Sequence, residues 1–273
     1  MRAEQNSDKK KNRGNSMRWR SGLGAFIPRH IPNRLVCGAM SLLSVMHRTS
    51  KKKCEENRKS NLMALRSGEA KKAPGKSKLT TELYQAVGGV LFTPGNYIEN
   101  QQQWKNVRFG NRSTMAYSGC EILAVYNGLL ALGECINEER LVDLISIFER
   151  KGAVWAGLFG TTPGAIRKYF EKQGYHVDMS YARRQNVINA LGQKADTVLV
   201  MVYNDAYDIF QMIHTVNISK DTMGKFYAHN CYKLDANRQY ISDGPFDTLW
   251  EAIHRMGRGK SEIVCVMGVS KRN

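Results

Sequence analysis

MAYSGCEILAVYNGLLALG, residues 115–133, is the stretch that decides how the chain folds. From Cys120 onward it is mainly apolar, which predicts a buried helix over residues 120–132 that ends at Gly133. Cys120 falls in the first turn of this helix, directly after Gly119. The unpaired backbone N–H groups at a helix start favour a thiolate and lower the pKa of a cysteine. The pattern therefore makes Cys120 a candidate nucleophile, with an ordinary core cysteine as the alternative.

Further helices and strands follow this stretch in a simple order. Asn137 is placed to cap a second helix, and Thr162 with Pro163 is placed to start a third, which Gly174 ends. The continuous apolar run DTVLVMVYN, residues 196–204, is typical of a buried strand, and four more strand candidates follow it. Helices first and strands later, joined by connections of hairpin length, predict an α+β fold.

The positive charge of the chain is concentrated at its start. The net charge is +17, and residues 1–80 hold 20 Lys and Arg against 5 Asp and Glu, a balance of +15. Such basic, polar segments cannot bury enough apolar surface to offset chain entropy. We therefore expect a disordered arm over residues 1–80 and one domain over residues 81–273. The arm is either an unstructured extension or a contact for an anionic membrane or nucleic acid.

The six cysteines and the apolar segment at residues 35–46 bear on localisation. The cysteines form no CxxC pair, so we expect free thiols and a reducing compartment. Residues 35–46 are too few to span a bilayer. They lie far from Met1 for a signal peptide, although a start at Met17 would bring them closer. We expect a cytoplasmic or membrane-associated protein, and export through this segment stays open.

A nucleophilic thiol needs a base, and the best candidate is a histidine on a late strand. His229 lies on the hairpin FYAHNCYKLDANRQYISDG, residues 226–244, whose return strand carries Asp243 to its end. A carboxylate there can fix the orientation and tautomer of the imidazole ring. His214 has only Asp221 nearby, at a turn. We therefore predict His229 as the base and Asp243 as its partner; the alternative is a structural histidine and a turn aspartate.

These residues carry a family resemblance. SGCEILAVYNGLLALG resembles the nucleophile helix of papain-like cysteine peptidases, in the branch of the bacteriocin-processing (double-glycine leader) peptidases and their stand-alone bacterial relatives. The resemblance covers about residues 95–270. It implies a papain-like fold, in which an N-terminal helical half packs its nucleophile helix on a C-terminal antiparallel sheet. It also implies that Cys120, His229 and Asp243 form the catalytic triad.

The upstream stretch NQQQWKNVRFGNRSTMAYSGC is similar to the same family, where a glutamine supplies the oxyanion donor. Gln101, which follows Asn100, is the preferred match, and Gln103 is the alternative. Two departures stand out. The glutamine lies further upstream of the cysteine than in many members, and Glu121 stands where many members have a small residue.

The resemblance implies a thiol-dependent peptidase that cleaves a peptide bond without a metal or cofactor. Its partner is a peptide or protein substrate, and we expect a monomer. Two other classes stay open: a non-peptidase acyltransferase or amidase on the same fold, and a catalytically silent binding module with a basic arm. In each catalytic case Cys120 is expected to be the only strongly reactive thiol, because its position at a helix start sets it apart from the other cysteines.

Overall fold

The chain folds into helices and antiparallel sheets, as the sequence predicts for an α+β protein. The computed structural model describes residues 32–69, 92–203, 213–257 and 262–272. In chain order the elements are α1 Asn33–Met46, α2 Lys51–Glu69, a 3₁₀ helix Gln101–Trp104, β1 Arg108–Phe109, β2 Ser113–Thr114, α3 Met115–Ser118, α4 Cys120–Ala131, α5 Glu138–Arg150, α6 Pro163–Lys172, β3 His176–Ser180, α7 Gln185–Lys194, β4 Thr197–Tyr203, β5 Ile213–Lys220, β6 Phe226–His229, β7 Asp243–Phe246, α8 Leu249–Arg255 and β8 Glu262–Ser270.

Local sequence signals set the helix boundaries where they were expected. Helix α4 begins at Cys120, and the chain leaves it through Gly133, whose φ of +84° suits a residue without a side chain. The side chains of Asn137 and Thr162 each accept a hydrogen bond from the backbone N–H three residues further along. These caps satisfy donors that have no partner inside the helix.

The main sheet has six antiparallel strands in the order β3-β8-β4-β5-β6-β7. The last strand of the chain, β8, is therefore inserted between β3 and β4. Helix α4 packs on one face of the sheet, against β4 and β5, and helices α7 and α8 cover the other face. Side chains of β4 alternate between the two cores, with Leu199 and Met201 on the α4 side and Val198 and Val200 on the other.

Helix α2 corrects the expectation that residues 1–80 form a disordered arm. One face of α2 is buried, and it carries two asparagines, Asn57 and Asn61. The Asn57 amide donates to the Gly110 carbonyl oxygen at 2.8 Å and to the Glu149 carboxylate at 2.6 Å. Asn61 donates to the Arg108 carbonyl oxygen at 2.9 Å. Helix α2 is thus part of the folded domain, which it joins through amide-to-backbone bonds.

Helix α1 also joins the domain, through a single buried asparagine and two buried apolar side chains. The Asn33 amide donates to the Ile263 carbonyl oxygen at 2.9 Å, and Cys37 and Met40 lie in the core. Residues 1–31 and 70–91, which hold the rest of the expected arm and its boundary near residue 80, lie outside the described residues. In the part of the chain that the structure describes, no helix is both long and apolar enough to cross a membrane.

Candidate functional site

Cys120 is the first residue of α4, and its thiol is buried. The side chain is 5% exposed, and Sγ–H donates a hydrogen bond to Glu121 Oε2 at 3.3 Å. Burial raises the pKa of the Cys120 thiol; the neighbouring Glu121 carboxylate adds to this, and the backbone N–H of Thr215 opposes it. The expectation that the helix start lowers this pKa is therefore corrected: removal from water outweighs the partial charges at the helix terminus.

Glu121 is a buried carboxylate directly beside the thiol. Burial raises the pKa of its carboxyl group to about 7, and hydrogen bonds from its own backbone N–H, the Cys120 thiol and the Thr161 backbone N–H oppose the rise. Gly160 makes room for the carboxylate, because a Cβ at that position would lie 2.5 Å from Glu121 Oε1. Gly160 also has a φ of +74°, which favours glycine. The chain at residues 160–161 thus encloses the Glu121 side chain.

His214, on β5, is the histidine whose backbone adjoins the thiol. The Thr215 N–H that acts on Cys120 belongs to the peptide bond that joins Thr215 to His214. The ring of His214 is buried, and its Nε2 lies 2.7 Å from the Asn230 carbonyl oxygen. Because a carbonyl oxygen only accepts, Nε2 carries the hydrogen, and Nδ1 of the neutral ring keeps its lone pair. Burial lowers the pKa of His214 to about 4, and the bond to Asn230 opposes this.

His229, the histidine that the sequence favours, has a different set of contacts. Its Nδ1 lies 2.6 Å from Glu99 Oε1, and its Nε2 lies 2.8 Å from Ser219 Oγ. The Tyr97 ring stacks on the imidazole with 3.8 Å between centroids. Both ring nitrogens of His229 are therefore bonded, whereas Nδ1 of His214 has no hydrogen-bond partner among the described residues.

Asp243 does not contact His229. Its Oδ2 accepts from the Gly257 backbone N–H at 2.8 Å, and its Oδ1 lies 3.3 Å from Lys233 Nζ. The strand pairing places Asp243 opposite Ala228, one residue before His229. The carboxylate at the His229 ring is that of Glu99, so the expected pairing of His229 with Asp243 is corrected.

Asn230 connects these groups, and sequence reasoning did not find it. Its carbonyl oxygen accepts from His214, and its backbone N–H donates to Glu99 Oε2 at 2.8 Å. Its side chain exchanges hydrogen bonds with Gln101: the Gln101 backbone N–H donates to Oδ1 at 3.1 Å, and Nδ2 donates to Gln101 Oε1 at 3.2 Å. Asn230 has a φ of +57°, a conformation in which asparagine is enriched. The signal in the sequence was the residue after His229 at the end of a strand.

Gln101, the predicted oxyanion donor, is brought close to the thiol-bearing segment. Its side chain is buried, and Nε2 donates to the Ala116 carbonyl oxygen at 3.1 Å. Ala116 belongs to α3, which ends directly before Gly119 and Cys120. Gln103, the alternative, lies in the same 3₁₀ helix and is partly exposed. The structure therefore joins Gln101, Asn230, His214 and Cys120 in one buried region and leaves Asp243 outside it.

The remaining cysteines differ in accessibility. Cys135 is exposed, and Cys37, Cys54, Cys231 and Cys265 are buried. Of these thiols, that of Cys135 is therefore open to a small reagent. Across the described ranges no group of three or more His, Cys, Asp or Glu side chains is arranged to hold a metal ion.

Comparison with known proteins found no matching family model, no matching curated protein and no matching solved structure.

Proposed function

We propose that the protein is a papain-like cysteine peptidase in which Cys120 is the nucleophile, His214 the general base and Asn230 the residue that positions the base. Gln101 supplies a side-chain donor for the oxyanion. Relative to the sequence-based prediction, the proposal keeps Cys120 and Gln101 and moves the base from His229 to His214. Asn230, through its carbonyl oxygen, takes the place that was assigned to Asp243.

The observation that carries the proposal is the state of the His214 ring. A neutral, buried imidazole with its Nε2 hydrogen fixed on the Asn230 carbonyl presents an unprotonated Nδ1. Its backbone adjoins the peptide N–H that acts on the Cys120 thiol. Nucleophilic catalysis requires a thiol and an oriented base, and the link between the two in this site is the His214–Thr215 peptide bond, whose N–H acts on the thiol. The packing of α4 on an antiparallel sheet that carries this histidine supports the papain-like class.

The reaction is acyl transfer through a thioester. Nδ1 of His214 takes the proton from Cys120 Sγ, and the sulfur attacks the carbonyl carbon of the scissile peptide bond. The Cys120 backbone N–H and the Gln101 amide donate to the oxyanion of the tetrahedral intermediate. Nδ1–H then protonates the leaving amine as the C–N bond breaks. A water molecule gives a proton to Nδ1 and attacks the thioester, which releases the carboxylic acid and restores the thiol.

The test is covalent labelling by an epoxysuccinyl peptide, whose epoxide ring is opened by a reactive thiolate. The full chain is treated at pH 7, digested, and the modified residue is found by mass spectrometry. We expect the adduct on Cys120 and its loss in Cys120→Ala. Cys135→Ser is the matched control, because it removes the exposed thiol and should leave the adduct unchanged. An adduct confined to Cys135 would contradict the proposal.

A second readout separates hydrolysis from the rival acyl transfer. A denatured protein mixture is incubated with the wild-type chain and with Cys120→Ala, and new peptide N-termini are sequenced. A peptidase gives new N-termini that disappear in Cys120→Ala. If fragments accumulate only when an added amine resolves the thioester, the protein is an acyltransferase that uses the same Cys120 and His214. If neither chain yields products and no adduct forms, the protein is not a thiol enzyme.

A further inference from the structure

The mechanism leaves Glu121 without a role, although this carboxylate contacts the nucleophile. The side chain is 2% exposed, and a carboxylate is costly to remove from water unless it is well bonded. A buried carboxylate that contacts the nucleophile is expected to have a function as well as hydrogen-bond partners.

The surroundings of Glu121 hold its carboxylate in one place. The segment that encloses it is a closed loop: Ala153 pairs with Thr161, and the Val154 backbone N–H donates to the Gly160 carbonyl oxygen at 2.9 Å. The loop presents the Thr161 backbone N–H to the carboxylate and leaves no space for a side chain at Gly160. The carboxylate also accepts from the backbone N–H of Glu121 itself and from the Cys120 thiol, which lies 3.3 Å from Oε2.

We propose that Glu121 is a positioning residue of the nucleophile: its carboxylate holds the Sγ–H proton of Cys120 in the resting protein and so keeps the thiol protonated until that hydrogen bond is broken. In the described part of the chain Sγ–H donates to Glu121 and not to Nδ1 of His214. Attack on a substrate therefore requires Sγ to leave Glu121 for His214. The inference rests on the proposed function in taking Cys120 as the nucleophile and His214 as its base, but it does not require that the substrate be a peptide.

The charge of Glu121 predicts the direction in which its removal changes the reactivity of the Cys120 thiol. A negative carboxylate beside the sulfur disfavours the thiolate, so ionisation of Glu121 holds the proton on Cys120. The Cys120 thiol is the titratable group that contacts the carboxylate, and the other contacts are the backbone N–H groups of Glu121 and Thr161. Glu121→Gln keeps the shape and one acceptor oxygen but removes the charge. The thiol should therefore become more reactive in this variant.

The experiment measures the alkylation rate of Cys120 by iodoacetamide from pH 5 to pH 9. It uses the full chain with Cys135→Ser, and mass spectrometry follows each cysteine separately. At pH 8 we expect Glu121→Gln to react faster than its parent, by about tenfold for each unit by which the thiol pKa falls. The parent should show an inflection near pH 7, where Glu121 ionises, and the variant should lack it.

Glu149→Gln is the matched control. The pKa of Glu149 is also raised to about 7 by burial, but its Oε1 accepts from Asn57 and from the Gly110 N–H and does not touch Cys120. This variant should leave the Cys120 rate within about twofold of the parent, because its charge lies outside the thiol environment. Should Glu121→Gln fail to fold, Gly160→Ala replaces it, since the new Cβ displaces the carboxylate from the thiol.

Two results would overturn the inference. An unchanged Cys120 rate in Glu121→Gln would mean that the carboxylate does not hold the proton. A slower rate would mean that Glu121 accepts the proton as a base. Because alkylation reads the thiol and not peptide cleavage, a chain without peptidase activity can still give the expected result, so failure of the proposed function and failure of this inference are distinguishable.

Discussion

Replacing His214 by glutamine should abolish most of the acylation of Cys120, whereas the same change at His229 should not. The pKa of His214 is lowered to about 4 by burial, so at pH 7 only about one ring in a thousand is protonated. The ring is therefore a base at neutral pH. Of the ring nitrogens of His214 and His229, Nδ1 of His214 is the one that has no hydrogen-bond partner among the described residues. Glutamine can still donate to the Asn230 carbonyl but cannot accept and return the proton.

The magnitude follows from the loss of a general base, which costs about 10²–10⁴ in rate. The His229 ring is linked to the site by Glu99, which also bonds the Asn230 backbone N–H. Its replacement should therefore lower the rate by less than about tenfold, the effect of losing orientation and not the acceptor. Asp243→Asn should have no measurable effect, because Asp243 bonds Gly257 and Lys233 instead.

The assay is the burst of p-nitrophenolate from p-nitrophenyl acetate, which reports acylation of the thiol. It is run in the Cys135→Ser chain, so that the exposed cysteine does not contribute. Each variant is also unfolded in urea, because His214 is buried and its loss can weaken the fold. As the pH is lowered, the wild-type burst rate should fall only near pH 4, where the His214 ring becomes protonated. A burst that survives His214→Gln and is lost in His229→Gln, with both chains folded, would refute the assignment of His214.

Three further predictions concern stability and the support of the site. The raised pKa of Glu149, about 7, means that stability present below pH 4.5 is lost as the pH rises through 7, by about 3 kcal/mol. Urea unfolding at pH 5 and pH 8 should show a smaller loss in Glu149→Gln than in the wild type, and the loss that stays is the share of Glu121, whose pKa is also raised to about 7; an equal loss in the two chains would contradict this. Asn57→Ala leaves the Gly110 carbonyl and Glu149 without their amide donor and should lower the free energy of unfolding by about 2 kcal/mol; an unchanged urea midpoint would show that α2 is not needed by the domain. Asn230→Gly keeps the backbone conformation but removes the amide that bonds Gln101, so acylation should fall about tenfold at nearly constant melting temperature; a full rate would argue against Gln101 as the oxyanion donor.

Local chemistry in the sequence was sufficient to place several elements of the domain's central and C-terminal parts. It was not sufficient for the predicted hairpin over residues 226–244, because β6 ends at His229 and Asp243 begins β7 instead of ending a return strand. The start of α4 at Cys120, the caps at Asn137 and Thr162, and the apolar strand β4 were all predicted, and the structure has them. Each of these features is determined by residues within one helical turn or one strand, so a short stretch of sequence is enough to predict it. The prediction that Cys120 opens a buried helix follows from the same kind of signal.

Helix α2 was missed because its buried face is only partly apolar: Cys54 and Leu65 share it with two asparagines. Asn57 and Asn61 occupy that face, and they are buried only because backbone groups at Arg108 and Gly110 and the carboxylate of Glu149 receive their hydrogen bonds. Those partners lie some fifty to ninety residues away in the sequence. Sequence periodicity detects a buried helix face only where that face is mainly apolar, so it does not detect this one. The segment therefore looked like a solvated basic arm.

The sequence alone determined that a thiol stands at a helix start and that two strand histidines are available to it. Only the tertiary structure decided which histidine has a ring nitrogen without a hydrogen-bond partner among the described residues. The partner of His214 is the carbonyl oxygen of Asn230, which follows β6. The partners of His229 are Ser219 on β5 and Glu99 in the segment before the 3₁₀ helix. The burial that raises the thiol pKa is likewise a property of packing. Proton positions depend on such long-range neighbours and on the exclusion of water, and neither is encoded in a local pattern.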